Sequence, residues 1–238
     1  VCYTYLDCLA AFGVGGAHPG GLNLTKYILS ALELDETKSV LDVGCGTGQT
    51  SAYIAEKYGC NVISLDSNKI MLEKAKQRFL AQQLAIEVKH GKTENLPLNE
   101  NLIDIVLSES VTAFTDIPLT IQEYKRVLKP DGVLIAIEMV LENPFSEEEL
   151  TSLIDFYGVP QLLTEPEWYS LFKKAGYNHV DIEKVKTKFD NNDVDDVADF
   201  ALSENIDEKC YEILVEHERL TKTYKDVLGF RVFKCFAS

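Results

Sequence analysis

Positive charge is scarce in this chain: 23 Lys and Arg stand against 38 Asp and Glu, a formal net charge of −15 over 238 residues. Nucleic acids and anionic membranes are bound by clustered cations that neutralise phosphates, so neither is expected as a partner. Long apolar runs are also missing. No stretch approaches the roughly 20 apolar residues of a membrane span, and no basic-plus-apolar leader opens the sequence, so a cytoplasmic protein is expected. The six cysteines show no C-x-x-C spacing, and reduced free thiols with no bound metal are expected. The acidic run from Asp190 to Asp199 lacks the glycine and closing glutamate of a calcium loop and reads as the solvated start of a helix. There is no internal repeat and no low-complexity linker, so residues 1–238 read as a single domain of α/β size.

What is present is concentrated at residues 40–48, which read VLDVGCGTG. Strand chemistry leads into a glycine-spaced turn, and an amphipathic helix pattern follows from Thr50. That order brings backbone N–H groups and a helix N-terminus up to a ligand. Gly44, Gly46 and Gly48 are spaced G-x-G-x-G, not the G-x-G-x-x-G of dinucleotide enzymes. Asp42 stands two positions before the first glycine, where a dehydrogenase strand is normally apolar. Both departures disfavour an NAD-dependent oxidoreductase. The next strand, Asn61–Asp66, ends in an acid about 20 residues past the turn, the position that bonds ribose hydroxyls in doubly wound nucleotide sites.

Further strands are expected at Ser39–Val43, Ile86–His90, Ile103–Ser108, Gly132–Glu138, His179–Val185 and Phe230–Phe236. Helices are expected near Leu22–Leu34, Thr50–Tyr58, Lys69–Gln82, Ile117–Leu128 and Asp207–Leu228. Their alternation implies a mostly parallel sheet with helices on both faces. Two capping-box signals, Ser146 with Glu149 and Thr164 with Glu167, open helices inside an added segment, residues 142–176.

Together the glycine turn, Asp42, Asp66 and the ordered strand ends over roughly residues 38–140 resemble the class I S-adenosylmethionine-dependent methyltransferase family. The resemblance implies a Rossmann-like seven-stranded sheet in the order 3-2-1-4-5-7-6 with the last strand antiparallel. It also implies S-adenosyl-L-methionine as cofactor and, with the acidic charge, a small-molecule methyl acceptor whose reacting atom (O, N, S or C) stays open. A non-catalytic cofactor-binding protein of the same fold shares every one of these features. The Asn/Asp-Pro-Pro-Tyr motif of amine-methylating relatives is missing after the fourth strand, against methylation of bases.

By the same resemblance, Gly44, Cys45, Gly46 and Gly48 face the methionine half of the cofactor, with Asp42 holding the turn or a cationic ligand group. Asp66 takes the ribose, with Ser67 beside it, and Met71 either packs on adenine or is plain core. Lys92 departs from the acid that many relatives carry at the adenine amino group, which leaves Lys92, Thr93 and Glu94 as the adenine-reading loop. Ser108 and Glu109 border cofactor and acceptor, Glu109 either holding a cationic amine or acting as a base, or else being a solvent-facing or structurally paired acid. Residues 1–37, with five glycines between Phe12 and Gly21, are expected to form a mobile lid in which His18 is either a base or a solvated loop residue. The bulky side chains of 142–176, including Trp168, Tyr169, Leu171 and Phe172, are expected to line the acceptor pocket.

Overall fold

A computed structural model describes residues 3–185 and 199–237. Most of the acidic run and Cys2 lie outside these residues. In chain order the helices are α1 (Tyr5–Phe12), α2 (Gly21–Ser30), α3 (Gln49–Tyr58), α4 (Lys69–Ala81), α5 (Ile117–Val127), α6 (Glu147–Tyr157), α7 (Glu165–Lys174) and α8 (Glu208–Thr223). The strands are β1 (Ser39–Val43), β2 (Asn61–Asp66), β3 (Glu87–His90), β4 (Ile103–Glu109), β5 (Leu128–Leu141), β6 (His179–Glu183) and β7 (Leu228–Phe236). They form one sheet in the order β3-β2-β1-β4-β5-β7-β6, as the resemblance implied. β1 pairs in parallel with β2 and β4, while β7 runs antiparallel between β5 and β6.

The central strands are buried on both faces, which explains their near-continuous apolar runs. Because side chains alternate, Leu41 and Val43 of β1 meet Ile121 and Tyr124 of α5 on one face. Val40 meets Leu24, Ile28 and Ile54 of α2 and α3 on the other. The same parity sends Asp42 toward α3, and on β4 it sends Val106 to the α5 face but Ile105 and Leu107 to the α3 face.

Several boundaries differ from the sequence expectation, for local reasons. β5 starts at Leu128 rather than Gly132, because Leu128 pairs with Ile103 before a register shift carries the strand to the Val133–Ile105 pair. α8 ends at Thr223, not Leu228: the amides of Val227 and Leu228 both turn back to the Tyr224 carbonyl, and the final strand begins there. α2 stops at Ser30. Both capping boxes expected in 142–176 are formed, Ser146 with Glu149 and Thr164 with Glu167. α1 was not expected at all.

Candidate active site

Beyond the C-terminal ends of β1, β2 and β4 lies a cavity of about 480 Å³, within the usual range for small-ligand sites. Its floor is the glycine turn, whose glycines all have positive φ, 63° at Gly44, 53° at Gly46 and 75° at Gly48. The three are not equivalent. A β-carbon on Gly44 would collide with Val111, and one on Gly48 would lie 2.5 Å from the Phe79 ring. One on Gly46 would meet nothing nearer than the Met71 sulfur at 4.0 Å and would intrude on the cavity. Gly46 is therefore the glycine of the turn with open cavity above it, whereas Gly48 caps α3, packs on α4 and lines no part of the cavity. This corrects the expectation that Gly48 faces the ligand.

Asp66 closes β2 and sets the turn. Its carboxylate accepts from the Gly46 amide at 2.9 Å and from the Asn68 amide at 2.7 Å. Burial pushes the carboxyl up, opposed by those amides. Asp42 is buried beneath the turn, accepts from Ser51 Oγ at 2.5 Å, and is backed by Ser64 through Ser51 at 2.6 Å. Burial first, then the nearby Glu109 charge, push its carboxyl up to about 8.

The structure brings His18 and Glu109 together. Glu109 accepts from Thr25 at 2.5 Å and Thr50 at 2.8 Å, and His18 Nε2 lies 3.5 Å from its Oε2. His18 Nδ1 faces the Pro19 carbonyl at 3.2 Å, so both ring nitrogens already face protein oxygens. The glycine-rich segment is not a free loop. Val14 bridges Phe200, and Gly15 donates to the Asp199 carbonyl at 2.8 Å.

Cys45, Ser67, Met71, Lys92, Thr93 and Glu94 all line the cavity. Met71 also belongs to the apolar cluster beneath α1, so both of its readings hold geometrically. Burial pushes the Cys45 thiol up, with Asp42 and Asp66 adding to it.

Ser108 does not line the cavity. Strand parity turns it into the α5 face, where its hydroxyl sits 2.9 Å from Thr112 and 3.4 Å from Glu138. Glu138 is fully buried there and accepts from the Thr112 and Ala113 amides at 3.1 and 3.3 Å. Burial pushes its carboxyl up to about 7. The folded chain thus holds this proton more tightly than the unfolded chain, and the contribution of Glu138 to stability falls as pH rises from about 4.5 through 7. Glu138→Gln is expected to flatten that part of a melting-temperature profile against pH, and an unchanged slope would contradict the assignment.

Residues 142–176 contribute no lining residue, against the expectation. Trp168 and Phe172 instead pack with Phe233 in the core behind the sheet, and the Trp168 indole donates to the Met139 carbonyl at 3.0 Å. Tyr157 of α6 meets Tyr5 edge to face at 5.2 Å, so this element supports the wall from behind. The wall itself is α1 with its N-cap: Thr4 caps the helix, which supplies Leu6, Asp7 and Leu9. Its sequence signal was the Thr4–Asp7 spacing, a capping box that the structure forms. Val111, Phe114 and Thr115 were also missed, because they follow the strand in a single-turn segment without periodicity. Among the described residues no cluster of three or more His, Cys, Asp or Glu is placed to hold a metal. No described helix is long and apolar enough to cross a membrane.

Sheet order, a cavity at the switch point and the glycine turn define a Rossmann-like nucleotide-cofactor protein. A family model described as a methyltransferase domain matches residues 41–136. The methyltransferase YodH of Bacillus subtilis (strain 168), itself uncharacterized, is 38% identical over 230 residues, 96% of this chain and 97% of that protein. Phosphoethanolamine N-methyltransferase 1 of Zea mays is 28% identical over 203 residues, but the chain spans only 40% of its length. Haemonchus contortus phosphoethanolamine N-methyltransferase 2 in complex with S-adenosyl-L-methionine superposes with a TM-score of 0.79 at 19% identity, covering 98% of this chain and 57% of that one. The chain belongs to the class I S-adenosylmethionine-dependent methyltransferase family, and S-adenosylmethionine is its cofactor.

The cavity suits that group. Asp7, Asp66, Glu94 and Glu109 line it against one lysine, Lys92, and His18, beside the Asp42 carboxyl, which burial keeps largely protonated at neutral pH. A ligand carrying a sulfonium and an ammonium complements such a wall electrostatically. The space above Gly46, which a β-carbon would fill, matches a chain passing over the turn.

Proposed function

We propose that this methyltransferase acts on a small-molecule acceptor held between the glycine turn and the α1 wall. One observation carries the reading. The Gly46 cradle, the Asp66 carboxylate and the α1 side chains border a single cavity whose apolar lining includes Leu6, Leu9, Val14, Met71, Val111 and Phe114.

S-adenosylmethionine, when bound, supplies an electrophilic sulfonium methyl group. The chain's own residues position and desolvate. Asp66 would offer its remaining lone pairs to ribose hydroxyls, the turn amides would hold the amino-acid end, and Met71 and Thr93 would take the adenine. Leu6, Leu9 and Phe114 exclude water from the acceptor, and orienting the two reactants there removes several kcal/mol of barrier, on the order of 7–11 at best. Where the acceptor must lose a proton, Glu109 is the base in this reading, its carboxylate held by Thr25, Thr50 and His18 at the cavity wall.

The excess of carboxylates over Lys92 among the described lining residues favours a neutral or cationic acceptor over a phosphate ester. Labelled methyl transfer to paired acceptors, such as ethanolamine and phosphoethanolamine, checks both points. The expected outcome is transfer to a small acceptor, with the unphosphorylated member of a pair preferred. S-adenosylmethionine binding without transfer to any amine, alcohol or thiol in a broad panel would contradict the catalytic reading.

A further inference from the structure

Two cations one helical turn apart on α4, Lys74 and Arg78, reach away from the cavity rather than into it. Lys74 Nζ donates to the carbonyls of Ala10 at 2.8 Å, Ala11 at 3.1 Å and Ala201, so it binds the C-terminal end of α1. Arg78 Nε donates to the Thr47 carbonyl at 2.8 Å, while its Nη2 reaches the Thr47 hydroxyl at 3.3 Å and the Asp199 carboxylate. Thr47 is part of the glycine turn and lines the cavity.

Asp199 begins a short segment, residues 199–203, that runs antiparallel to residues 11–15. Gly15 donates to the Asp199 carbonyl at 2.8 Å, Ala201 to Gly13 at 3.0 Å and Ser203 to Ala11 at 2.9 Å. The two backbones touch so closely that a β-carbon on Gly13 would collide with the Ala201 carbonyl. Residues 14–18 and α1 are the cover of the cavity. One bonded path therefore runs from the cofactor turn through Thr47, Arg78 and Asp199 to that cover.

We infer that Arg78 is a positioning residue that couples the shape of the glycine turn to closure of the N-terminal cover through its ion pair with Asp199. The inference rests on the cofactor reading above. A group bonded to both parts makes the ordered turn and the closed cover stabilise one another, and by linkage a ligand that orders the turn also holds the cover shut. The planar guanidinium holds Thr47 through Nε and Nη2 and Asp199 through Nη2 in one fixed geometry, which the point charge of an ammonium does not reproduce. The pair is half-sheltered, with side-chain exposures of 19% and 26%, so salt weakens it without abolishing it.

Asp199 lines no part of the cavity; its carboxylate reaches the glycine turn through Arg78 and lies beside Gly15 of the cover. Stopped-flow displacement of S-adenosylhomocysteine is expected to give a dissociation rate about tenfold faster in Asp199→Asn, the loss of one charge-assisted bond. The cofactor KM rises with it and kcat at saturation does not change. In an Arg78→Gln background the Asp199 substitution adds nothing, and Arg78→Lys recovers only part of the loss. Chymotryptic cleavage at Phe12, slowed by S-adenosylhomocysteine in the wild type, is expected to lose that protection in Asp199→Asn. Additive effects across the cycle, or a wild-type dissociation rate in Asp199→Asn, would overturn the coupling alone. A wild-type chain that shows no calorimetric binding of S-adenosylhomocysteine would overturn the cofactor reading, and the coupling with it.

Discussion

Asp66→Ala is expected to weaken S-adenosylmethionine binding at least a hundredfold by calorimetric titration. Two losses combine. The ribose hydroxyls lose a charged acceptor, and hydrogen bonds to charged groups are worth about 1.5–3 kcal/mol each. The turn also loses its brace, since the Gly46 and Asn68 amides both donate to this carboxylate. About 3 kcal/mol in total already exceeds a factor of one hundred. Asp66→Asn keeps one acceptor oxygen and is expected to fall between alanine and wild type. Wild-type affinity in Asp66→Ala would remove the ribose assignment.

Gly48→Ala and Gly46→Ala are expected to fail in different ways although the residues are two positions apart. At Gly48 a methyl group would stand 2.5 Å from the Phe79 ring and 3.1 Å from Ala75 with φ at 75°. Left-handed strain of about 1–2 kcal/mol and overpacking of about 1–3 kcal/mol sum to several kcal/mol. A melting temperature lowered by roughly 6–12 °C is expected, at about 2–4 °C per kcal/mol for a chain of this size. At Gly46 the methyl group enters open cavity, so only the backbone strain reaches stability. Its larger effect is on cofactor affinity, through the occupied cradle. Thermal melting and calorimetry on the two variants separate these outcomes. An equal loss of stability in both would contradict the division between cradle and packing glycine.

The parts of the site legible in the sequence are those fixed by backbone geometry. A strand, a turn of positive-φ glycines and an acid at the end of the next parallel strand leave little freedom, so Asp42, Gly44, Gly46 and Asp66 fall where their spacing puts them. The sheet order followed from the resemblance. Side-chain direction at the end of β4 was harder to read. Ser108 and Glu109 are neighbours, yet parity sends one into a buried hydroxyl and carboxyl network under α5 and the other toward α2 and α3.

The aromatic wealth of 142–176 misled for a related reason. Trp168 and Phe172 lie one turn apart on one face of α7, a spacing that serves a core as well as a pocket, and only the path of the chain decides. The wall of the cavity came from α1, whose eight residues carry too short a periodic signal to stand out. Its cap at Thr4 and Asp7 was the readable mark. The coupling of α1 to α4 through Lys74 depends on contacts 63 and 64 residues apart, which no local pattern encodes.

The central claim is that a sulfonium nucleoside lies over Gly46 with its sugar on Asp66. A crystal structure of the chain with S-adenosylhomocysteine tests it most directly. Ribose hydroxyls within hydrogen-bonding distance of the Asp66 carboxylate, and the homocysteine portion above Gly44 and Gly46, are the predicted result. Ligand density elsewhere, with Asp66 still bonded only to its own backbone amides, would contradict it.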